Sequence, residues 1–73
     1  MQSKFEQIYD KYYDYVYRYI FVSVKDKGNT EYIIEIVFTK IYKNKDKISK
    51  IESNQDWILS IVQNEIKDFY RCR

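Results

Sequence analysis

The chain has 73 residues, of which 45% are hydrophobic and 33% charged, so it can form one small domain but no second core. It contains no His, one Gly and a single Cys, Cys72, which removes the usual side chains of nucleophilic and metal-dependent catalysis. A formal net charge of +2 excludes a protein that holds polyanions by bulk charge alone. We therefore expect a cytoplasmic, non-enzymatic binding module with no cofactor, no metal and no segment inserted in a membrane.

The first segment predicts a helix, because its apolar side chains recur at three- and four-residue spacing. They are Phe5, Ile8, Tyr9, Tyr12, Val16, Tyr19 and Ile20. The single glycine, Gly28, follows this segment and is expected to adopt the left-handed conformation that ends a helix. Asn29 or Thr30 can then cap the next helix.

The second predicted helix covers residues 30–42 and is apolar on two faces. One face is formed by Ile33, Ile34, Val37, Phe38 and Ile41. At about 100° per residue, Tyr32, Ile36 and Thr39 share a second face, away from the first. A helix with two apolar faces usually has two partners, so we expect the second face to bind another protein.

Residues 43–54 predict a long basic loop, because the apolar periodicity stops there without Gly or Pro. The loop lysines are Lys43, Lys45, Lys47 and Lys50. Ile48 and Ile51 can hold one short turn within it. Long connections in helical bundles are often functional, but a solvated lysine-rich loop with no function explains this composition equally well.

The third predicted helix begins near a capping signature, Ser53 followed by Asp56, and continues to the end of the chain. Its core stripe consists of Ile58, Ile61, Val62, Ile66 and Phe69. The opposite side carries Trp57, Ser60, Asn64, Lys67, Asp68 and Arg71. Glu65 lies toward the core stripe and needs a cation, for which Arg18 is a candidate. These elements predict an all-α fold, a small three-helix bundle with a long basic loop between the second and third helices.

The outward stripe of the third helix mixes residue types that bind single-stranded nucleic acid. Trp57 offers a stacking surface, Ser60 and Asn64 can bond to base edges, and Lys67 and Arg71 can contact phosphates. An alternative is purely structural: Trp57 packs in the core, and Asp68 forms a local ion pair with Arg71. A carboxylate metal site at Asp10 and Asp14 is formally possible, but such a pair is far more often a solvated face.

The order of these segments resembles region 2 of bacterial RNA polymerase sigma factors of the extracytoplasmic-function type, over nearly the whole chain as one domain. The most specific similarity is in the third helix, where Trp57, Asn64, Asp68 and Arg71 match that family's promoter-reading helix in type and spacing. The run from Glu35 to Tyr42 is similar to the family's second helix.

The resemblance implies two binding surfaces. The outer face of the second helix would dock on the clamp coiled coil of the polymerase largest subunit through Tyr32, Glu35, Ile36, Thr39 and Lys40. The third helix and the preceding lysine loop would capture the melted minus-ten element of the promoter, mainly as single-stranded non-template DNA. The family commonly has an acidic residue at the position of Tyr32 and Glu or Gln at that of Ile36, so the clamp contact would be more apolar here. An anti-sigma factor is a further possible partner.

Two further expectations concern the length of the whole protein and the functions that compete with the sigma-factor interpretation. The chain is either an excised domain of a longer sigma factor, whose C-terminal promoter-reading domain is absent here, or a short sigma-like protein, and we expect the excised domain. The alternative is a three-helix protein-interaction domain without nucleic-acid binding, which uses Tyr32, Ile36 and Thr39. A helix-turn-helix reader of duplex DNA is disfavoured because residues 43–54 are too long for the short turn of that motif.

Overall fold

The computed structural model describes residues 3–47 and 54–71, which form a bundle of three α-helices. Helix α1 is Lys4–Val24, α2 is Lys27–Lys43 and α3 is Gln55–Arg71. A 3₁₀ turn, Lys45–Lys47, follows α2 within the predicted basic loop, whereas Lys43 of that loop forms the last residue of α2. The prediction of a small all-α three-helix bundle is confirmed. The predicted Ser53 cap and the turn around Ile48 and Ile51 lie outside the described residues, as does Lys50.

Helix α1 begins with a capping box that satisfies free amides of its first turn. The backbone N–H of Glu6 donates to Ser3 Oγ at 3.2 Å, and the N–H of Ser3 donates to Glu6 Oε1 at 3.2 Å. Farther along, the buried residues recur every four positions: Ile8, Tyr12, Val16 and Ile20. This spacing turns one narrow stripe of α1 toward the other two helices, as the apolar pattern predicts.

The turn between α1 and α2 differs from the prediction. Lys25 is the left-handed residue, with φ 54°, and its N–H donates to the Phe21 carbonyl at 2.6 Å. Asp26 caps α2, because its carboxylate accepts the N–H of Asn29 at 2.7 Å. Gly28 lies inside the first turn of α2 and has no positive φ. The assignment of the turn to Gly28 was therefore wrong: the Asp26 cap starts the helix early enough to enclose the glycine.

The core lies where the three helices meet. Helix α2 buries Ile33, Ile34, Val37, Phe38 and Ile41, the five residues of its predicted apolar face. Helix α3 closes the core with Ile58 and Val62, each 1% exposed, and with half-buried side chains around them. The second face of α2 and the outward face of α3 therefore remain on the surface. Within the described residues, no helix is both long and apolar enough to cross a lipid bilayer.

Candidate functional site

The outward face of α3 presents a continuous polar stripe, which we call the α3 stripe. Its exposed members are Ser60, Asn64, Lys67 and Arg71. Their three- and four-residue spacing aligns them on one side of the helix over about three turns. One hydroxyl, one amide and two cations thus face solvent side by side, which is a combination that can contact both bases and phosphates.

Trp57 lies at the start of the α3 stripe and is half-buried. It packs against the hydrophobic core, as the alternative of a purely structural role for Trp57 predicts in part. The Ser60 hydroxyl donates to the Trp57 carbonyl at 2.7 Å. The Ser60 proton is therefore used within the helix, and Ser60 Oγ can still accept a hydrogen bond from a ligand. A Trp57 side chain that is only half covered can support the core and still offer part of its ring to a ligand.

Asp68 and Arg71 do not form the local ion pair that the structural alternative predicts. The charge of Asp68 acts instead on Lys40 of α2, where it helps to raise the lysine pKa. Arg71 stays exposed near the end of α3. Its guanidinium is therefore not held by Asp68 and can meet an anion from outside the chain.

Glu65 pairs with Lys40 rather than with Arg18. The Lys40 Nζ donates to Glu65 Oε2 across the boundary between α2 and α3. This hydrogen bond is the largest cause of a raised pKa at Lys40. The charges of Glu65 and Asp68 add to it, and desolvation opposes it. The sequence pattern showed that Glu65 points inward, but the identity of its partner depends on how α2 and α3 are rotated against each other.

The second face of α2 forms a shallow hollow of about 300 Å³, which we call the α2 hollow. The structure brings together there all five residues predicted to bind a partner, Tyr32, Glu35, Ile36, Thr39 and Lys40, and adds Lys43. Tyr32 is 62% exposed, and Ile36 is half-buried beside it. This hollow combines an aromatic ring and an aliphatic side chain with charged groups at its margin, a composition suited to a protein partner.

The predicted loop lysines are only partly described. Lys43 is exposed at the end of α2, and Lys45 places its Nζ 4.6 Å from the centroid of the Tyr42 ring. This cation–π contact holds Lys45 near the helix end. Lys47 ends the 3₁₀ turn.

An aromatic groove between α1 and α2 was missed by the sequence analysis. It has a volume of about 510 Å³ and is lined by Phe5, Tyr9, Tyr13, Phe38 and Tyr42, with Glu31 and Glu35 at one side. Burial is the main cause of a raised pKa at Tyr13, and neighbouring tyrosines and carboxylates add to it. The aromatic residues of α1 recur every four positions, which was the available signal. Phe5 and Tyr9 were instead assigned to the apolar stripe of α1, although Tyr9 is 41% exposed, and Tyr13 was assigned to no face.

No metal centre is found in the described part of the chain, where no three His, Cys, Asp or Glu side chains cluster. Asp10 and Asp14 are both exposed on α1. The two predicted binding surfaces, the α3 stripe and the α2 hollow, both lie elsewhere, on α3 and α2.

The chain is similar to two sigma factors of Bacillus subtilis (strain 168). It is 30% identical over 71 residues to the ECF RNA polymerase sigma factor SigX, a match that covers 97% of this chain and 37% of the relative. It is 29% identical over 68 residues to the RNA polymerase sigma factor SigZ, covering 93% of this chain and 39% of that relative. No family model and no solved structure matches the chain. The similarity confirms the predicted resemblance to sigma factors of the extracytoplasmic-function type, although the chain spans less than two fifths of these relatives.

Proposed function

We propose that this chain, as an extracytoplasmic-function sigma-factor domain, is region 2 of such a factor and acts in transcription initiation. In this proposal the α2 hollow binds core RNA polymerase, and the α3 stripe captures the minus-ten promoter element as single-stranded DNA. The domain works in the cytoplasm and catalyses no reaction itself. The observation that carries the proposal is the exposed alignment of Ser60, Asn64, Lys67 and Arg71 on one face of α3.

The chemistry of the α3 stripe suits an unpaired strand. The Asn64 amide both donates and accepts, so it can match the hydrogen-bonding edge of a base that is not paired. Lys67 lies about one turn and Arg71 about two turns farther along the helix, and both can neutralise phosphates. The half-covered ring of Trp57 supplies a surface for stacking at the other end of the stripe. Few cations take part, so the isolated domain binds weakly and with a shallow dependence on salt.

The lysine loop that precedes α3 completes this DNA surface. The side chains assigned to it are those of Lys43, Lys45, Lys47 and Lys50. Residues 40–50 carry a net charge of +4, whereas the whole chain carries +2, so the remaining residues sum to −2. Positive charge is thus concentrated beside the helix that bears the stripe. A basic segment next to an amide and an aromatic ring can enclose a base extruded from the stack.

The α2 hollow suits the clamp coiled coil of the polymerase largest subunit. Tyr32 and Ile36 give an apolar centre, and Glu35 and Lys40 give charged margins, as in many protein interfaces. Most of the affinity of the domain for promoter DNA then comes from the polymerase, because the polymerase holds the domain next to the melted strand. An anti-sigma factor that covered the same hollow would block this docking.

A binding comparison tests the DNA assignment. We expect the chain to bind a single-stranded non-template minus-ten oligonucleotide more tightly than the matching duplex, measured by fluorescence anisotropy at low salt. Asn64→Ala should lower affinity for the single strand on the order of 10-fold, as loss of a contact to a base does. Gln55→Ala is the matched control, because it removes an exposed amide from the opposite side of α3. Equal binding to both DNA forms, unchanged by Asn64→Ala, would overturn the proposal.

A second candidate function is a protein-interaction domain with no DNA role. The aromatic groove between α1 and α2 favours it, because exposed rings such as Tyr9 and Tyr42 are typical of protein interfaces. Binding of the purified clamp coiled coil separates the two functions. The sigma-factor assignment requires that binding, and it requires Tyr32 to take part.

A further inference from the structure

A hollow on the opposite side of α1 from the aromatic groove borders α3, and we call it the α1 hollow. It has a volume of about 390 Å³ and is lined by Tyr15, Arg18, Tyr19, Val22 and Ser23. Tyr15 is 40% exposed, and the Tyr15 and Tyr19 ring centroids are 6.5 Å apart with an interplanar angle of 49°. Val22 is 70% exposed, so it adds an aliphatic surface to the hollow. Tyr15, Arg18 and Val22 leave this surface open to solvent.

The α1 hollow is tied to α3 by two hydrogen bonds. Gln63 Nε2 donates to the Tyr19 hydroxyl oxygen at 3.2 Å, and the Tyr70 hydroxyl donates to the Ser23 carbonyl. Gln63 immediately precedes Asn64, and Tyr70 immediately precedes Arg71. The α1 hollow therefore adjoins the edge of the α3 stripe at two points along the helix, which makes the two surfaces continuous.

The charge of the α1 hollow is complementary to a nucleic-acid strand. Arg18 is the one charged residue in the segment 15–24, so no carboxylate of that segment faces it. Asp14, one turn earlier, forms no ion pair with Arg18. An exposed guanidinium that lines the same hollow as two tyrosine rings can bind a phosphate while a ring stacks on a base. The aromatic groove does not suit the same strand, because the carboxylates of Glu31 and Glu35 at its side would repel the phosphates.

We propose that the α1 hollow extends the DNA surface of the α3 stripe, so that one single strand contacts both helices. In this arrangement a base stacks on Tyr15 and Tyr19, and Arg18 binds a neighbouring phosphate. The inference rests on the proposed function and goes beyond it, because it places DNA-binding residues on α1. Continuity with the α3 stripe and the isolated positive charge favour a nucleic acid over an apolar protein segment at this surface.

A length series of single-stranded oligonucleotides tests the proposal with this chain. The shortest oligonucleotide is the one bound through Asn64, and the others carry a few added nucleotides at the 5′ or the 3′ end. We expect extension at one end to raise affinity about 10-fold through stacking and phosphate contact. Arg18→Gln should remove most of that gain, leave the shortest oligonucleotide unaffected and reduce the salt slope by about 0.7. Tyr15→Ser should also remove much of the gain.

Lys11→Gln is the matched control, because it removes one positive charge from an exposed position two turns earlier on α1. Circular dichroism of each variant checks that the helices remain. An extension that adds no affinity, or equal losses from Arg18→Gln and Lys11→Gln, would overturn the α1 proposal. Failure of the proposed function gives a different result: the shortest oligonucleotide would then bind without any dependence on Asn64.

Discussion

The ammonium of Lys40 on α2 and the carboxylate of Glu65 on α3 form an ion pair between the two helices. Glu65 is 8% exposed, whereas the Lys40 side chain is 49% exposed. The carboxylate is thus largely withdrawn from water and depends on a lysine that reaches it from the α2 hollow. This pair joins the surface that we propose for polymerase to the helix that we propose for DNA.

Loss of the lysine should destabilise the fold. We expect Lys40→Met to lower the free energy of unfolding by about 1–2 kcal/mol, because Glu65 would keep a charge with no cation beside it. The cost is below that of a fully buried pair, since Lys40 is half exposed to solvent. The double variant Lys40→Met with Glu65→Leu should recover most of the loss. Urea unfolding of both variants checks this, and an unchanged Lys40→Met midpoint would contradict it.

The pKa of Lys40, raised by its hydrogen bond to Glu65, predicts how stability changes in alkali. A lysine whose pKa is higher in the folded state stabilises fully below its unfolded pKa of about 10.4, and this is lost as pH rises through the folded pKa. Burial also raises the pKa of Tyr13 above 10.0, so the folded state again retains its proton longer and loses stability in alkali.

We therefore expect the free energy of unfolding to fall above about pH 10, and to fall less steeply in Lys40→Met and in Tyr13→Phe. Urea unfolding at several pH values between about 8 and 11.5 measures this slope. The Tyr15→Phe variant is the control, because it removes a phenol that is 40% exposed. Identical slopes in all four proteins would contradict the prediction.

Two substitutions in the turn between α1 and α2 should stabilise the fold: glycine in place of Lys25, and alanine in place of Gly28. Lys25→Gly should stabilise the fold by about 0.5–1 kcal/mol, because Lys25 has φ 54°. Gly28→Ala should add about 0.5 kcal/mol, since a methyl group there would meet only Asp26 Oδ2 at 3.5 Å. Thermal unfolding should show a rise of a few degrees for each variant. A lower midpoint for Gly28→Ala would contradict the helical conformation of that residue.

Tyr32 should matter for binding and not for folding. It is 62% exposed, so Tyr32→Ser should change the free energy of unfolding by less than about 0.5 kcal/mol. The same variant should weaken binding to core RNA polymerase on the order of 10-fold, because an aromatic ring at the centre of an interface is often a dominant contact. Surface plasmon resonance with immobilised polymerase measures the loss. Lys27→Ser, at another exposed position of α2, should leave binding unchanged.

The helices and their buried faces could be predicted because each depends on residues close together in the chain. Apolar side chains at helical spacing identified Val16 and Ile20 on α1, and Ile58 and Val62 on α3, as core residues. The polar composition of the α3 stripe could be predicted for the same reason. The left-handed residue of the turn could not be predicted, because Lys25 and Gly28 can both adopt that conformation. The Asp26 cap places Gly28 inside α2, so Lys25 takes the left-handed conformation.

Helical periodicity is a local property, so the order of the residues was enough to predict three amphipathic helices and the amide and cations on the outer face of the third. The tertiary structure alone decided which distant residues meet. Lys40 and Glu65 are 25 positions apart, and Tyr19 and Gln63 are 44 apart. Such pairs depend on the rotation of each helix about its axis, which is set by the packing of the whole core.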